Sequence, residues 1–332
     1  MTDIIKKIID KIHLNNNFII TTHVNPDGDA IGSELALARY LQSLGKNVTI
    51  INHSPTPDYL LFMLNSKDNI LEFNAELHSN LIENADVILT LDLSQLSRVK
   101  SLEDYIRKSN ATKICIDHHP APEDYAEFSL VETISSSTGE LVYHLLKQTE
   151  AKITLDIALP LYVAIMTDTG SFKYERTTAN LHRIIAELLD AGVVPIKIHQ
   201  AIYDQGSASR IQLLGRAFNS LVIAGDGKLA YMKISLNDLA ETNSKEEDVE
   251  GFVSHTLSIK GVEVGLFFFE LENGFKISLR SATTIPVNKL AAEFNGGGHF
   301  FAAGARLEDK NMEETIPEVI ETAIKYINEY SK

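Results

Sequence analysis

A chain of 332 residues, 44% hydrophobic and 23% charged, is long for one core and suits two domains of ordinary size. Its formal net charge of −15 argues against tracking along extended nucleic acid, where affinity comes from many Lys and Arg contacts to phosphates. The single cysteine, Cys115, excludes a disulfide framework or a thiolate metal site.

Residues Met1 to Asp10 read as an amphipathic helix with charges throughout, which lacks the unbroken apolar core of a signal peptide. No apolar run approaches the roughly 20 residues of a bilayer span, so a cytoplasmic protein without a membrane segment is expected. After the strand-like Phe18-Ile19-Ile20 comes Thr21-Thr22-His23-Val24-Asn25-Pro26-Asp27-Gly28-Asp29, then a helical pattern from Glu34 to Leu44. Pro26 and Gly28 stop both strand and helix, which lets His23, Asp27 and Asp29 turn toward one point. Hard oxygens with one nitrogen favour manganese or magnesium over structural zinc, although Asn-Pro and Asp-Gly are also ordinary turn dipeptides.

Asn47 to Asn52 and Ala85 to Asp92 read as strands of a parallel α/β sheet, the second ending on Asp92. Lys113 to Ile116 is a third strand, followed at once by Asp117-His118-His119-Pro120. Ligands of open α/β sheets bind beyond the carboxyl ends of the strands, where all of these groups emerge. The run Ser135 to Thr138 reads mainly as a helix N-cap, with some hydroxyls free to face the crevice. Asp168 closes an apolar helix that starts at Leu155, and a carboxylate there needs a partner or a ligand. Lys173, Arg176, Thr177, Thr178 and Asn180 form a polar, basic patch before the helix Leu181 to Ala191, either a solvated helix start or a phosphate contact.

Past a connector the style changes. Asp226-Gly227 and Glu272-Asn273 sit between alternating strands as hairpin turns, which makes the second domain a smaller α+β unit with a mixed sheet. The charge run Lys245 to Glu250 reads as a solvated helix face. Arg280 and Ser281 at a strand end could grip phosphate, and Gly296, Gly297, Gly298 and His299 form either a backbone cradle or a flexible turn. The expected division is residues 1–190, a connector at 191–210, and residues 211–332.

His23-Val24-Asn25-Pro26-Asp27-Gly28-Asp29, Asp92, Asp117-His118-His119, Asp168 and Gly296-Gly297-Gly298-His299, in this order, resemble the DHH/DHHA1 phosphoesterase family, and within it the nano-RNases that are also pAp phosphatases. The resemblance covers nearly the whole chain. It implies an N-terminal DHH domain that binds two divalent cations, manganese first and magnesium or cobalt as alternatives, and a C-terminal DHHA1 domain that grips substrate. By position, one cation takes His23, Asp27 and Asp92, and the other Asp29, Asp92, His118 and Asp168. His119 and Arg98 face the scissile phosphate, and Asp117 orients a neighbouring imidazole. Arg280, Ser281 and the loop Gly296 to His299 hold the distal nucleotide.

The implied reaction is hydrolysis of short oligoribonucleotides, pApA included, and removal of the 3′-phosphate of pAp. The chain has none of the membrane and sensory segments of cyclic-di-AMP phosphodiesterases, which favours linear pApA. A manganese-dependent inorganic pyrophosphatase or a non-catalytic nucleotide-binding regulator would share parts of the pattern, and the helix Leu181 to Ala191 is a candidate homodimer surface.

Overall fold

A computed structural model describes residues 2–331. Met1 and Lys332, the outermost positions of the two expected domains, lie outside the described residues. The chain forms two compact units, one running to Gln205 and the other starting at Gly206.

The first unit comprises α1 (Thr2–Leu14), β1 (Asn17–Thr21), α2 (Gly28–Ser43), β2 (Asn47–Asn52), β3 (Ile70–Glu72), α3 (Ala75–Glu83) and β4 (Val87–Leu91). It continues with α4 (Glu103–Lys108), β5 (Thr112–Asp117), β6 (Phe128–Val131), α5 (Thr138–Gln148), α6 (Leu155–Asp168), α7 (Ala179–Asp190) and α8 (Pro195–Tyr203). All strands pair in parallel in the order β3-β2-β1-β4-β5-β6. The winding direction reverses between β1 and β4, and their carboxyl ends open the crevice that such a switch creates. The short edge strands β3 and β6 carry too little periodicity to be read from sequence.

Helix α2 is buried on every side from Gly28 to Leu41, so small residues decide how near its neighbours come. A Cβ on Gly32 would collide with the Pro160 carbonyl of α6, and one on Gly139 of α5 with the Ala164 methyl of α6. The three helices therefore meet at glycine and alanine, close to the ends that carry Asp29, Thr138 and Asp168. Pro160 inside α6 has no N–H for the Asp156 carbonyl. Arg39 of α2 donates to that carbonyl at 2.6 Å and ties the two helices together.

The second unit comprises α9 (Ala208–Asn219), β7 (Val222–Ala224), β8 (Leu229–Ile234), α10 (Leu236–Thr242), β9 (Val264–Leu271), β10 (Gly274–Ser281), α11 (Val287–Ala292), β11 (Gly297–His299), β12 (Ala302–Leu307) and α12 (Met312–Tyr330). Its sheet, ordered β11-β12-β10-β9-β8-β7, is parallel only between β8 and β9, the expected mixed sheet. Along β10 the period of two buries Phe275, Ile277 and Leu279 in the core and leaves Lys276, Ser278 and Arg280 on the other face.

Three sequence expectations change. The segment 191–210 is no plain connector, because α8 and the start of α9 fall inside it. Gly297 to His299 form the edge strand β11, not a loop. Close packing explains the glycines: a Cβ on Gly296 would strike the Gly304 carbonyl, and Gly298 has φ 144° with its Cβ position against Ala302 and Ala303 of β12. The charge run holds only a short 3-10 turn, Glu246–Val249.

Because Gly32 sits at the closest approach of α2 and α6, Gly32→Ala should cost about 1–3 kcal/mol of stability through overpacking. An unchanged midpoint in chemical denaturation would show that the helices have room to spare.

Candidate metal centre

The chain leaves β1 through Thr22, whose N–H donates to Asn52 Oδ1 at 3.1 Å and whose hydroxyl donates to the Leu91 carbonyl at 2.8 Å. These bonds tie the exit to both neighbouring strands, and His23 follows. The Val24 N–H is held by the Arg98 carbonyl at 2.9 Å. Asn25 then takes φ 54°, and Asp27 caps α2 by accepting from the N–H groups of Asp29 and Ala30 on Oδ1 alone. At the second position of α2, the fully buried Asp29 accepts from the N–H groups of Thr138 and Gly139 at 2.7 and 2.9 Å, so the N-terminus of α5 supports its charge.

Asp92, the first residue past β4, adopts φ 60°, a left-handed conformation unusual for a non-glycine residue and common where function outweighs local comfort. Its two oxygens face different partners. Oδ2 lies 3.2 Å from His23 Nε2, while Oδ1 accepts from the Thr138 hydroxyl at 3.0 Å and lies 3.7 Å from His118 Nε2. His118 Nε2 is also 3.8 Å from Asp29 Oδ2 and 3.4 Å from Asp168 Oδ2. Three overlapping groups result, Asp92 with His118 and His119, His23 with Asp27 and Asp92, and Asp29 with His118 and Asp168, and each could hold a metal ion.

The donor set fits cations. His23 Nδ1 lies 2.9 Å from the Val24 carbonyl and carries the proton there, which turns the Nε2 lone pair toward the Asp92 carboxylate. Two electron-rich atoms 3.2 Å apart require a proton or a cation between them. Among the described residues, the ion pairs of Asp29, Asp92 and Asp168 are all with histidine. Burial first, then repulsion from Asp92, Asp168 and Asp27, pushes the Asp29 carboxyl well above its usual range, against the pull of the Gly139 N–H. Burial, opposed by His118 and reinforced by Asp92 and Asp27, pushes Asp168 up to about 6. Carboxylates and imidazole suit manganese- or magnesium-like ions.

His119 also has a partner outside these groups. Its Nδ1 is 2.7 Å from Asp117 Oδ1, a bond that raises the proton affinity of the ring; at the carboxyl, burial is the largest influence, and only the hydrogen bonds and charge of His119 together with the Ser94 hydroxyl bring its proton affinity down. With Nδ1 committed to Asp117, His119 presents Nε2 as a donor. The Arg98 guanidinium lies near enough to His23 and His119 to lower the proton affinity of both.

The structure thus gathers His23, Asp27, Asp29, Asp92, Asp117, His118, His119, Asp168 and Arg98 at one crevice of the first unit. Arg280 stands on the open face of the second unit, in a cavity of about 550 Å3 with Lys276, Ser278, Phe267, Phe269 and Glu250. Burial lowers its proton affinity, which Glu250 partly offsets. Ser281 points to the Thr283 carbonyl, and His299 lies on the exposed edge strand β11. Thr138 is the site residue that sequence reading left unassigned, since its place in an N-cap run hid the contact with Asp92.

Comparison with known proteins matches both units to known domain families. Residues 17–165 match the DHH family, N-terminal domain, and residues 226–329 match the DHHA1 domain. A bifunctional oligoribonuclease and PAP phosphatase NrnA from Thermus thermophilus is 30% identical over 307 residues, 91% of this chain and 87% of that protein. An exopolyphosphatase-related protein from Bacteroides fragilis superposes with a TM-score of 0.89 at 36% identity, over 99% of this chain and 97% of the other. RecJ from Thermus thermophilus in complex with Mn2+ shares the fold at a TM-score of 0.55 and 13% identity, over 99% of this chain and 55% of that one.

The crowded carboxylates make a pH prediction. The Asp168 carboxyl is raised from 3.8 to about 6, so its ionised form is disfavoured in the fold; the penalty is absent below about pH 4, grows to about pH 6 and is complete above. Asp168→Asn should therefore raise the melting temperature of chelator-treated protein at about pH 8 and shrink the rise that manganese gives. A lower melting temperature with an undiminished manganese response would contradict the site's electrostatics.

Proposed function

We propose a function from the premise that the chain belongs to the DHH/DHHA1 phosphoesterase family and is a hydrolase of phosphoester bonds. The reading is a manganese-dependent hydrolase of short oligoribonucleotides, pApA among them, that also removes the 3′-phosphate of pAp. The observation that carries it is the divided Asp92 carboxylate, with one oxygen toward His23 and the other toward His118. The name of the Thermus relative supports the substrate class.

In this reading His23, Asp27 and Asp92 hold one cation, and Asp29, Asp92, His118 and Asp168 the other. When bound, two such cations supply Lewis acidity at the phosphoryl group and make a water acidic enough to attack it. The protein does the rest. Thr138 fixes the rotation of Asp92, and the α5 N-terminus fixes Asp29. Asp117 keeps the His119 ring oriented and protonated, so that Nε2 donates to a phosphoryl oxygen or gives a proton to the departing oxygen. Arg98 adds positive charge for the same oxygens. Arg280, with Lys276 on the same face, anchors a distal nucleotide, and substrates of about two to five nucleotides need few such contacts, in keeping with an acidic protein.

Incubation with manganese should convert pApA to AMP and pAp to AMP and phosphate. Intact pApA and pAp, or faster release of phosphate from pyrophosphate, would reject the reading. Asp92→Ala should cost more than the roughly 10–100-fold that loss of a supporting partner costs at a metal site; a smaller loss would remove Asp92 from its shared role.

A further inference from the structure

Beside the candidate metal centre lies a cavity of about 420 Å3 whose lining includes His119, Ser136, Tyr174 and Arg176. The segment that builds its outer wall is tightly set. Gly170, Ser171 and Phe172 take φ of 56°, 59° and 66° in succession, the Thr169 hydroxyl accepts from the Phe172 N–H at 3.1 Å, and Phe172 packs on Tyr162 and His182. Left-handed backbone at consecutive non-glycine residues is costly and persists only when surroundings impose it. The turn places the Tyr174 ring over Gly170, where a Cβ would strike it, and leaves the ring 60% exposed.

Arg176 is the other unusual feature. Its Nη1 donates to the Ser135 carbonyl and approaches His118 Nδ1, both at 3.3 Å, and among the described residues it has no carboxylate partner despite the acidic surroundings. Once His118 Nε2 serves a cation, Nδ1 must carry the ring proton and can no longer accept from Arg176. The guanidinium then has free donors at the cavity. Ser136 Oγ, in the same cavity, is 2% exposed at the residue level and makes no hydrogen bond of full geometry, although it lies beside the Glu140 carboxylate that accepts from the Ser136 N–H at 2.7 Å. Glu175 and Asp168, both in the lining, are the opposing charges.

A free guanidinium, a buried hydroxyl and an exposed aromatic ring are the parts needed for a phosphate and a base. We infer that this cavity is a nucleotide subsite, in which Arg176 and Ser136 take a phosphate other than the one being cleaved and Tyr174 stacks on its base. The inference rests on the nucleotide-hydrolase reading above and makes the enzyme prefer substrates with a further phosphate next to the scissile one.

Calorimetric titration of the manganese-loaded full chain with AMP and with adenosine tests the subsite independently of turnover. AMP should bind at least about tenfold more tightly than adenosine, as charge-assisted bonds to phosphate require, and Arg176→Ala should shrink that difference severalfold with metal content unchanged, the remainder being phosphate held at the metal centre. Tyr174→Ala should weaken AMP and adenosine alike, and Tyr174→Phe should restore both. In kinetics, Arg176→Ala should lower the ratio of kcat/KM for pApA over ApA by about tenfold. Equal binding of AMP and adenosine to the parent protein, an AMP preference that Arg176→Ala leaves undiminished, or loss of metal in that variant would overturn the proposal. Inactivity of the parent protein on pApA would instead reject the nucleotide-hydrolase reading and leave the binding result to decide the subsite.

Discussion

The structure turns on the mutual repulsion of Asp29, Asp92 and Asp168, three carboxylates collected around one histidine nitrogen in a mostly buried crevice. Burial alone would drive Asp29 and Asp168 to hold protons, and each negative neighbour, Asp92 included, adds to the cost. A fold that pays for such crowding gains from it only when something positive arrives. The proton-bearing Nδ1 of His23, which turns its lone pair on Asp92, leads to the same conclusion from hydrogen-bond geometry.

Much of the scaffold serves this arrangement. The reversal of winding between β1 and β4 puts His23 and Asp92 at adjacent strand ends. Glycine and alanine at the meeting of α2, α5 and α6 bring Asp29, Thr138 and Asp168 together, and two N–H groups at the start of α5 receive Asp29. Arg39, which takes the carbonyl that Pro160 leaves unpaired, holds α2 and α6 in place from the far side. The Asp117–His119 pair is separate in kind: it settles which nitrogen of His119 carries a proton and leaves the other to face the crevice.

The strand-end logic was legible in sequence because packing gives an apolar run no reason to stop on Asp or His. Asp92, His118 and Asp168 could thus be gathered at one edge from the residue pattern. Distances and orientation were not legible. Thr138 was hidden because an N-cap serine or threonine accounts for itself, and only the fold brings its hydroxyl to Asp92. Gly296 to Gly298 misled for a related reason: glycine signals close approach without saying what approaches, and here the neighbour is strand β12. The helix α8 was missed because Val193-Val194-Pro195 reads as an interruption, whereas proline at the first helical position is a start signal.

Two cations sharing Asp92 are the centre of the proposed mechanism. Anomalous diffraction from crystals grown with manganese tests this directly. Two peaks are expected, one against His23, Asp27 and Asp92 and the other against Asp29, Asp92, His118 and Asp168. A single peak, or peaks that leave Asp92 out, would contradict it.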